Sequence, residues 1–210
     1  TEDINMSRET ALRELLPLVQ VAEALAEKYD VVVTNPPYMG GSGMSAKLSD
    51  FVKKNYPDSK SDLFAVFIEH GNAMAKYAGF NCMVTMQSWM FLSSFEKMRV
   101  ESLQTKTITN LMHMDNAVMG IAFGTAVTAF RNCHITNYKG TYNHIKYEDI
   151  VEDVPKEFPV LENYFAQVNA DNFAKIPGSP VAYWISEAVY KAFANDKLMC
   201  YTISDGQNIT

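Results

Sequence analysis

Four consecutive residues, Asn35-Pro36-Pro37-Tyr38, combine groups that can hold a planar amine. The Asn35 side-chain oxygen accepts hydrogen bonds, and Pro36 offers a backbone carbonyl with no competing N–H beside it, because Pro37 lacks one too. The two proline rings fix φ, so both acceptors are held rigidly. Tyr38 presents a flat face to a planar ring. Together these residues predict a site for a conjugated exocyclic NH2 group.

The nitrogen of such a group is a poor nucleophile, because its lone pair is delocalised into the ring or carbonyl. Two acceptors directed at its hydrogens favour a more tetrahedral nitrogen, whose lone pair is free to attack an electrophile. The proton can leave after the attack, so no strong general base is needed. An activated methyl group is the electrophile that suits this arrangement best. The alternative interpretation is a rigid turn without chemistry.

The elements that position these residues follow from the apolar pattern. Val31–Thr34 is typical of a short strand that is buried on both faces. A helix is predicted over residues 8–28, with a break or kink at Pro17. Residues 39–60 are predicted to form a loop, and residues 62–79 a helix. The remaining predicted elements are a strand at 80–86, a turn and helix at 87–103, and strands at 108–115 and 124–132.

This order of elements predicts the α/β class, with a mostly parallel sheet, helices on its faces and an antiparallel last strand. The last two strands are close enough in sequence to form a hairpin. In an open sheet of this kind, ligands bind beyond the carboxyl ends of the strands, where residues 35–38 lie. Residues 1–138 are assigned to this domain, and residues 139–210 to a polar insertion and a connector helix.

The composition of the 210-residue chain limits the function classes. Its net charge of −6 is the wrong sign for a stand-alone nucleic-acid binder, which needs a basic face. No signal peptide or long apolar run is present, so we expect no membrane association. The odd cysteine number and the absence of zinc-ligand spacing favour a reducing cytoplasmic compartment and predict no metal site; the cysteines are Cys82, Cys133 and Cys200.

Several stretches, in this order, resemble DNA adenine-N6 methyltransferases. Their (D/N/S)PP(Y/F) motif is matched by 35-NPPY-38, and the helix that follows it by 61-SDLFAVFIEHG-71. Their next strand and turn resemble 79-GFNCMVTMQSWMF-91, and their final hairpin resembles 111-LMHMDNAVMGIAFGTAVTAF-130. A bridge into a target-recognition domain, as in PglX-type enzymes of BREX phage-defence systems and in type IIG restriction-modification proteins, resembles 175-KIPGSPVAYWIS-186 and 203-ISDGQNIT-210.

The resemblance implies a Rossmann-like enzyme that transfers a methyl group from S-adenosylmethionine to the N6 amino group of adenine in double-stranded DNA. It implies that Asn35 and the Pro36 carbonyl hold the amino group and that Tyr38 stacks on the base, which must be flipped out of the duplex. Met119 or Phe123 is the nearest counterpart of an aromatic that some members place on the base. Other defence-system subunits are further implied partners.

On the cofactor side, the resemblance places Asp62, Leu63 and Phe64 where family members line the S-adenosylmethionine pocket. Helix capping and core packing are the alternative roles for these three residues. The family's glycine-rich cofactor loop and its acidic ribose-binding residue have no counterpart here, because the cluster Gly40–Gly43 follows the tetrapeptide. We therefore expect a C-terminal half of the catalytic fold that binds the cofactor poorly and does not turn over alone.

Two other functions remain open from the sequence. Asn-Pro-Pro-Tyr also occurs in methyltransferases that act on a protein glutamine amide or on RNA bases. A non-catalytic module that keeps the methyltransferase shape is the third interpretation. The continuation beyond the predicted hairpin favours DNA, because the enzymes that act on glutamine or RNA tend to end soon after it.

Overall fold

The computed structural model describes residues 2–118 and 120–194, without the side chains of residues 2–4, 6 and 7. A six-stranded sheet organises this part of the chain. Its strands are β1 (Tyr29–Thr34), β2 (Ala75–Met86), β3 (Thr107–Met114), β4 (Thr125–Arg131), β5 (Lys139–Ile145) and β8 (Tyr164–Asn169). A separate pair consists of β6 (Ile150–Val151) and β7 (Val154–Pro155). The helices are α1 (Glu2–Ala26), α2 (Ala46–Asn55), α3 (Leu63–Met74), α4 (Glu96–Thr105) and α5 (Glu187–Ala194).

The strand order is β1-β2-β4-β3-β5-β8. Strands β1, β2, β3 and β5 run in one direction, and β4 and β8 run in the other. The predicted α/β class and the predicted antiparallel pairing of β3 with β4 are therefore confirmed. The antiparallel strand β4 lies inside the sheet, because it returns between β2 and β3 and pairs with both.

Two predicted boundaries were wrong. The loop expected at residues 39–60 contains helix α2, which begins where Ser45 caps the backbone N–H of Leu48. The helix expected to end at Gly79 ends at Met74, and β2 starts at the next residue. Gly79 allows close strand approach, because a Cβ there would lie 2.8 Å from the Asp30 carbonyl oxygen.

The N-terminal elements expose apolar surface. Helix α1 contains Pro17 and continues through it, so the expected break is absent. Strand β1 was expected to be buried on both faces, yet Val31 and Val33 are 54% and 69% exposed. Val31 and Val33 lie on the same face of β1, and no hydrophobic cluster of the described residues includes them. Among the described helices, none has the length and apolar character that a membrane span requires.

Residues 139–169 extend the same sheet. β5 pairs in parallel with β3, and β8 pairs with β5. The assigned boundary at residue 138 therefore falls between β4 and β5, which belong to one sheet, and the expected polar insertion contains two strands of that sheet. The predicted connector helix is present as α5. Cys200 and residues 203–210 lie outside the described residues.

The core lies between one face of the sheet and helices α3, α4 and α5. Its fully buried members include Phe64, Trp89, Leu111, Phe130 and Tyr142. A smaller cluster of Met114, Ile145 and Val160 packs on the opposite face. The core therefore fixes the carboxyl ends of β2, β3 and β5 relative to one another.

Candidate functional site

The tetrapeptide Asn35–Tyr38 lies directly after β1, at the carboxyl edge of the sheet. Two prolines end the strand here, because neither can donate a ladder hydrogen bond. Asn35 and Pro37 are exposed, Tyr38 is half-buried and Pro36 is buried. The asparagine side chain thus faces solvent, while the buried Pro36 and half-buried Tyr38 anchor the tetrapeptide in the protein.

The Tyr38 hydroxyl links the tetrapeptide to the neighbouring strand. It lies 3.2 Å from Asn35 Oδ1 and 3.1 Å from the Val84 carbonyl oxygen. A hydroxyl has one proton to donate, so donation to Val84 leaves the Asn35 oxygen free to accept from a ligand. Burial raises the pKa of Tyr38, which keeps this donor protonated at neutral pH.

Two phenylalanines hold the Tyr38 ring edge-on. The ring centroid of Phe64 is 6.2 Å away at 90°, and that of Phe123 is 5.5 Å away at 69°. Phe123 precedes β4, and the sequence predicted it or Met119 beside the base; Met119 lies outside the described residues. The structure thus places Phe123, at the end of the β3–β4 connection, next to the tetrapeptide.

Asp62 ties the loop after the tetrapeptide to helix α3. Its Oδ1 accepts from the backbone N–H of Met39 at 2.9 Å and from that of Phe64 at 3.2 Å. The Leu63 N–H also donates to the Met39 carbonyl at 3.0 Å. The helix-cap role, left open from the sequence, is therefore confirmed for Asp62, and its second oxygen lies near Gly40.

The other two predicted cofactor residues differ in exposure. Leu63 is half-buried at the start of α3, whereas the Phe64 side chain is 0% exposed. Phe64 packs between Tyr38 and Phe95, whose ring centroid is 5.5 Å away. Its side chain has no surface to offer a cofactor, so the observed role is the core-packing alternative. The cofactor role of Asp62 and Leu63 stays a prediction.

The structure assembles a polar cluster that the sequence did not predict. His113 and His144 are register partners on β3 and β5, and their rings stack with centroids 4.7 Å apart at 10°. His144 Nε2 lies 2.8 Å from Asp115 Oδ1. His113 Nδ1 lies 2.9 Å from the Tyr183 hydroxyl, and its Nε2 contacts the Gln87 side-chain oxygen. The pairing of His113 with His144 could be predicted only if residues 139–145 were first predicted to form strand β5 beside β3.

This cluster bears on the expectation that no metal site exists. Ligand atoms of His113, Asp115 and His144 lie within 4.8 Å of one another, close enough for a metal ion. A ligating imidazole holds a metal in its own ring plane, however, and parallel stacked rings share no plane. Both His113 nitrogens also have hydrogen-bond partners. As arranged, the cluster is a hydrogen-bond network.

Burial lowers the pKa of His113 to about 4. The neighbouring His144 contributes to this lowering, and Asp115 opposes it. His113 is consequently neutral at physiological pH and presents an uncharged ring.

Comparisons with known proteins agree with this architecture. Residues 3–119 match the model of the Eco57I restriction-modification methylase family. The chain is 41% identical over 192 residues to the adenine-specific methyltransferase BrxX of Escherichia coli O9:H4 (strain HS), covering 90% of this chain and 16% of the relative. It is 40% identical over 184 residues to the adenine-specific methyltransferase PglX of Lacticaseibacillus casei (strain Zhang), covering 83% and 15%.

Among solved structures, the cryo-EM DrdV–DNA complex superimposes with a TM-score of 0.52 at 16% identity, over 81% of this chain and 20% of DrdV. At this identity the likeness concerns the fold. The chain spans about one sixth of the length of the curated relatives it matches. Because the family model covers more than half of the residues and both relatives are at least 40% identical over most of them, the chain belongs to the Eco57I restriction-modification methylase family.

Proposed function

We propose that this chain supplies the base-binding side of the active site of a DNA adenine-N6 methyltransferase. The observation that carries the proposal is the tetrapeptide Asn35–Tyr38, held at the carboxyl edge of the sheet with its asparagine exposed. The relatives named above are both adenine-specific methyltransferases, which supports the choice of adenine as the acceptor.

In this proposal Asn35 Oδ1 and the Pro36 carbonyl accept hydrogen bonds from the adenine amino group, while Tyr38 stacks on the ring. The Tyr38 hydroxyl can donate its hydrogen bond to the Val84 carbonyl, which leaves the Asn35 oxygen free for the substrate. S-adenosylmethionine, when bound, supplies an electrophilic methyl group. On transfer of that methyl group the N–CH3 bond would form as the S–CH3 bond broke, and the nitrogen would release its extra proton to solvent. The adenine must be flipped out of the duplex to reach this edge.

The described residues fit the cofactor only in part. Asp62 and Leu63 lie at the start of α3, next to the tetrapeptide loop, and can contact the cofactor. The Phe64 side chain cannot contact the cofactor, because it is fully buried. We assign the remaining contacts, including the glycine-rich loop, to residues outside this chain. The 210-residue chain is therefore expected to bind S-adenosylmethionine poorly and to have no activity by itself.

The proposed partner is double-stranded DNA, bound through the full-length protein. The net charge of −6 means that most phosphate contacts must come from residues outside this chain. Residues beyond α5 are proposed to lead toward a target-recognition domain. Other subunits of a phage-defence system are further proposed partners.

The direct test is mass spectrometry of nucleosides from DNA incubated with the full-length protein and S-adenosylmethionine. N6-methyladenine is the expected product. Asn35→Ala removes one acceptor in the transition state and should lower kcat at least about 100-fold. Asn35→Asp keeps an acceptor and should retain measurable activity.

The matched control is Asn55→Ala, which removes an exposed asparagine from α2 and should leave kcat within about twofold, as surface changes usually do. If the protein methylates RNA bases or a protein glutamine amide but not DNA, the proposal that adenine in DNA is the substrate is wrong. Full activity of Asn35→Ala would contradict the assigned role of the tetrapeptide.

A further inference from the structure

A second binding feature lies on the same sheet edge, at the carboxyl ends of β3 and β5. It is a cleft of about 550 Å³, called the aromatic cleft here. Its lining residues all carry planar side-chain groups: Phe91, His113, His144, Asn163, Phe165 and Trp184. A cleft lined by planar groups favours a planar ligand, since such a ligand can stack on rings rather than fill a rounded apolar cavity.

The floor of the aromatic cleft is the stacked pair His113 and His144. Tyr183 and Gln87 hold the two nitrogens of His113, so that ring cannot rotate without losing hydrogen bonds. His113 is neutral and adds no charge to desolvate. The floor is therefore held in one arrangement before a ligand binds, which reduces the entropy cost of binding.

The wall of the aromatic cleft is Trp184, which is 47% exposed. It contacts Phe91 with ring centroids 5.7 Å apart at 61°, and Tyr183 at 5.0 Å and 88°. Two aromatic rings thus hold the indole from the protein side while nearly half of its surface stays open to solvent. A large ring that is held by its neighbours and left exposed is suited to stack on a ligand.

A chain of residue contacts connects the aromatic cleft to the proposed active site. Tyr38 packs on Phe123, and Gly124 follows Phe123. The Gln87 N–H donates to the Gly124 carbonyl at 3.0 Å, and the Gln87 side chain contacts His113 on the cleft floor. Strands β1 and β5 are four positions apart in the sheet, so the two features are separated by about 19 Å at roughly 4.8 Å per strand.

We propose that the aromatic cleft binds an unpaired nucleobase of the DNA substrate other than the target adenine. The identity of this ligand rests on the proposed function. Flipping one adenine leaves its partner base unpaired, so the substrate itself contains such a base. A nucleobase is planar and stacks on aromatic side chains whatever its sequence, and its edge can hydrogen-bond to the Asn163 amide and the His144 ring.

The test uses the full-length protein and a fluorescein-labelled, single-stranded oligo(dT), which contains no adenine for the tetrapeptide. Fluorescence anisotropy measures its Kd. Trp184→Ala should raise the Kd at least about fivefold, the lower end of the loss expected for one stacked base. Trp184→Phe keeps an aromatic ring and should stay within about twofold. Asn163→Leu removes the edge hydrogen bond and should raise the Kd about threefold.

The matched control is Tyr77→Ala, which removes an 86% exposed aromatic ring near the start of β2, at the opposite edge of the sheet. It should leave the Kd unchanged. Undetectable oligo(dT) binding by the wild-type protein, or an unchanged Kd in both Trp184→Ala and Asn163→Leu, would overturn the proposal. If Trp184→Ala does not fold, Asn163→Leu alone decides the outcome.

Failure of this inference is distinct from failure of the proposed function. Asn35→Ala should lower methylation at least about 100-fold and leave oligo(dT) binding intact, because thymine does not need the tetrapeptide. If the full-length protein methylates DNA but its Kd for oligo(dT) is unchanged by the cleft variants, the proposed function holds and the proposed base site in the cleft is wrong. If the cleft variants weaken oligo(dT) binding but the protein does not methylate DNA, the base site holds and the proposed function is wrong.

Discussion

The two ends of the sheet use similar residues in opposite environments. At one end, Val31 and Val33 on β1 are 54% and 69% exposed. Toward the other end, one and two strands inside the last strand β8, Tyr142 on β5 and Leu111 on β3 are 0% and 1% exposed. The valines are stronger strand formers than many residues of β5, yet they contribute little burial in this chain.

The difference shows that burial depends on what packs against a strand, and not on its own apolar content. β3 and β5 are covered by helices α4 and α5 and by the segment that precedes α5. β1 carries the proposed reactive tetrapeptide at the exposed end of the sheet, whereas the aromatic cleft lies at the covered end. The covered end should therefore be sensitive to substitution and the exposed end tolerant.

Arg99 offers the largest test of this comparison. It is 1% exposed on α4 and donates to the carbonyls of Trp89 at 2.8 Å and Leu92 at 3.0 Å, and also to those of Gly178 and Ser179. Arg99→Met removes these donors and leaves buried carbonyls unpaired. We expect urea unfolding of the 210-residue chain to show a loss of about 4 kcal/mol.

The control for this change is Arg13→Met on α1, where the arginine side chain is 78% exposed. It should alter the free energy of unfolding by less than about 0.5 kcal/mol. Equal effects of the two substitutions would show that the covered end is not held together by this arginine.

The pH dependence of stability gives a second, smaller test at the covered end. Burial lowers the folded-state pKa of His113 from 6.5 to about 4. Since the unfolded state binds this proton more tightly, the contribution is complete above about pH 6.5, falls as pH drops, and is gone at about pH 4. The shift corresponds to about 3 kcal/mol over that window.

Urea unfolding at a series of pH values between these limits measures the slope. His113→Gln keeps a polar side chain but cannot titrate, so its free energy of unfolding should depend less steeply on pH than that of the wild type. Identical slopes would mean that His113 is accessible to protons in the folded chain and that the floor of the aromatic cleft is open.

Local signals in the sequence were sufficient for one end of the site. The strand, the two prolines and the aromatic ring marked the tetrapeptide, because each acts within a few residues of the chain. The role of Asp62 as a helix cap was equally local, since its side chain bonds the N–H two residues on. The position of Phe123 near the base, in contrast, is predicted only through the family resemblance, which leaves Met119 as the alternative.

The pairing of strands that are distant in the chain could not be predicted from the sequence. Strand β5 contains Gly140, Asn143 and His144, which have weak strand propensity, so the sequence predicts a polar insertion there and not a strand. Without β5 the stacking of His144 on His113 could not be foreseen, because the two residues lie in register on different strands. The exposure of β1 could not be foreseen either, since an apolar run does not reveal whether its covering residues belong to the same chain.

The smallest expected effect comes from the exposed end, and it separates two explanations of that exposure. Val31→Thr and Val33→Thr keep the β-branched shape and strand propensity while removing a methyl group from the surface. In the 210-residue chain each should change the free energy of unfolding by less than about 0.5 kcal/mol, because water already contacts these side chains. In the full-length protein each should cost about 1 kcal/mol or more if other residues cover β1.

Thermal unfolding of both proteins, with Val66→Thr on α3 as a buried control at 6% exposure, measures the contrast. Val66→Thr should be destabilising in both, because its hydroxyl has to be buried in either. A β1 that tolerates threonine at Val31 and Val33 in the full-length protein as well would show that this face of β1 is native surface. The proposed cofactor loop would then have to approach the tetrapeptide from another direction.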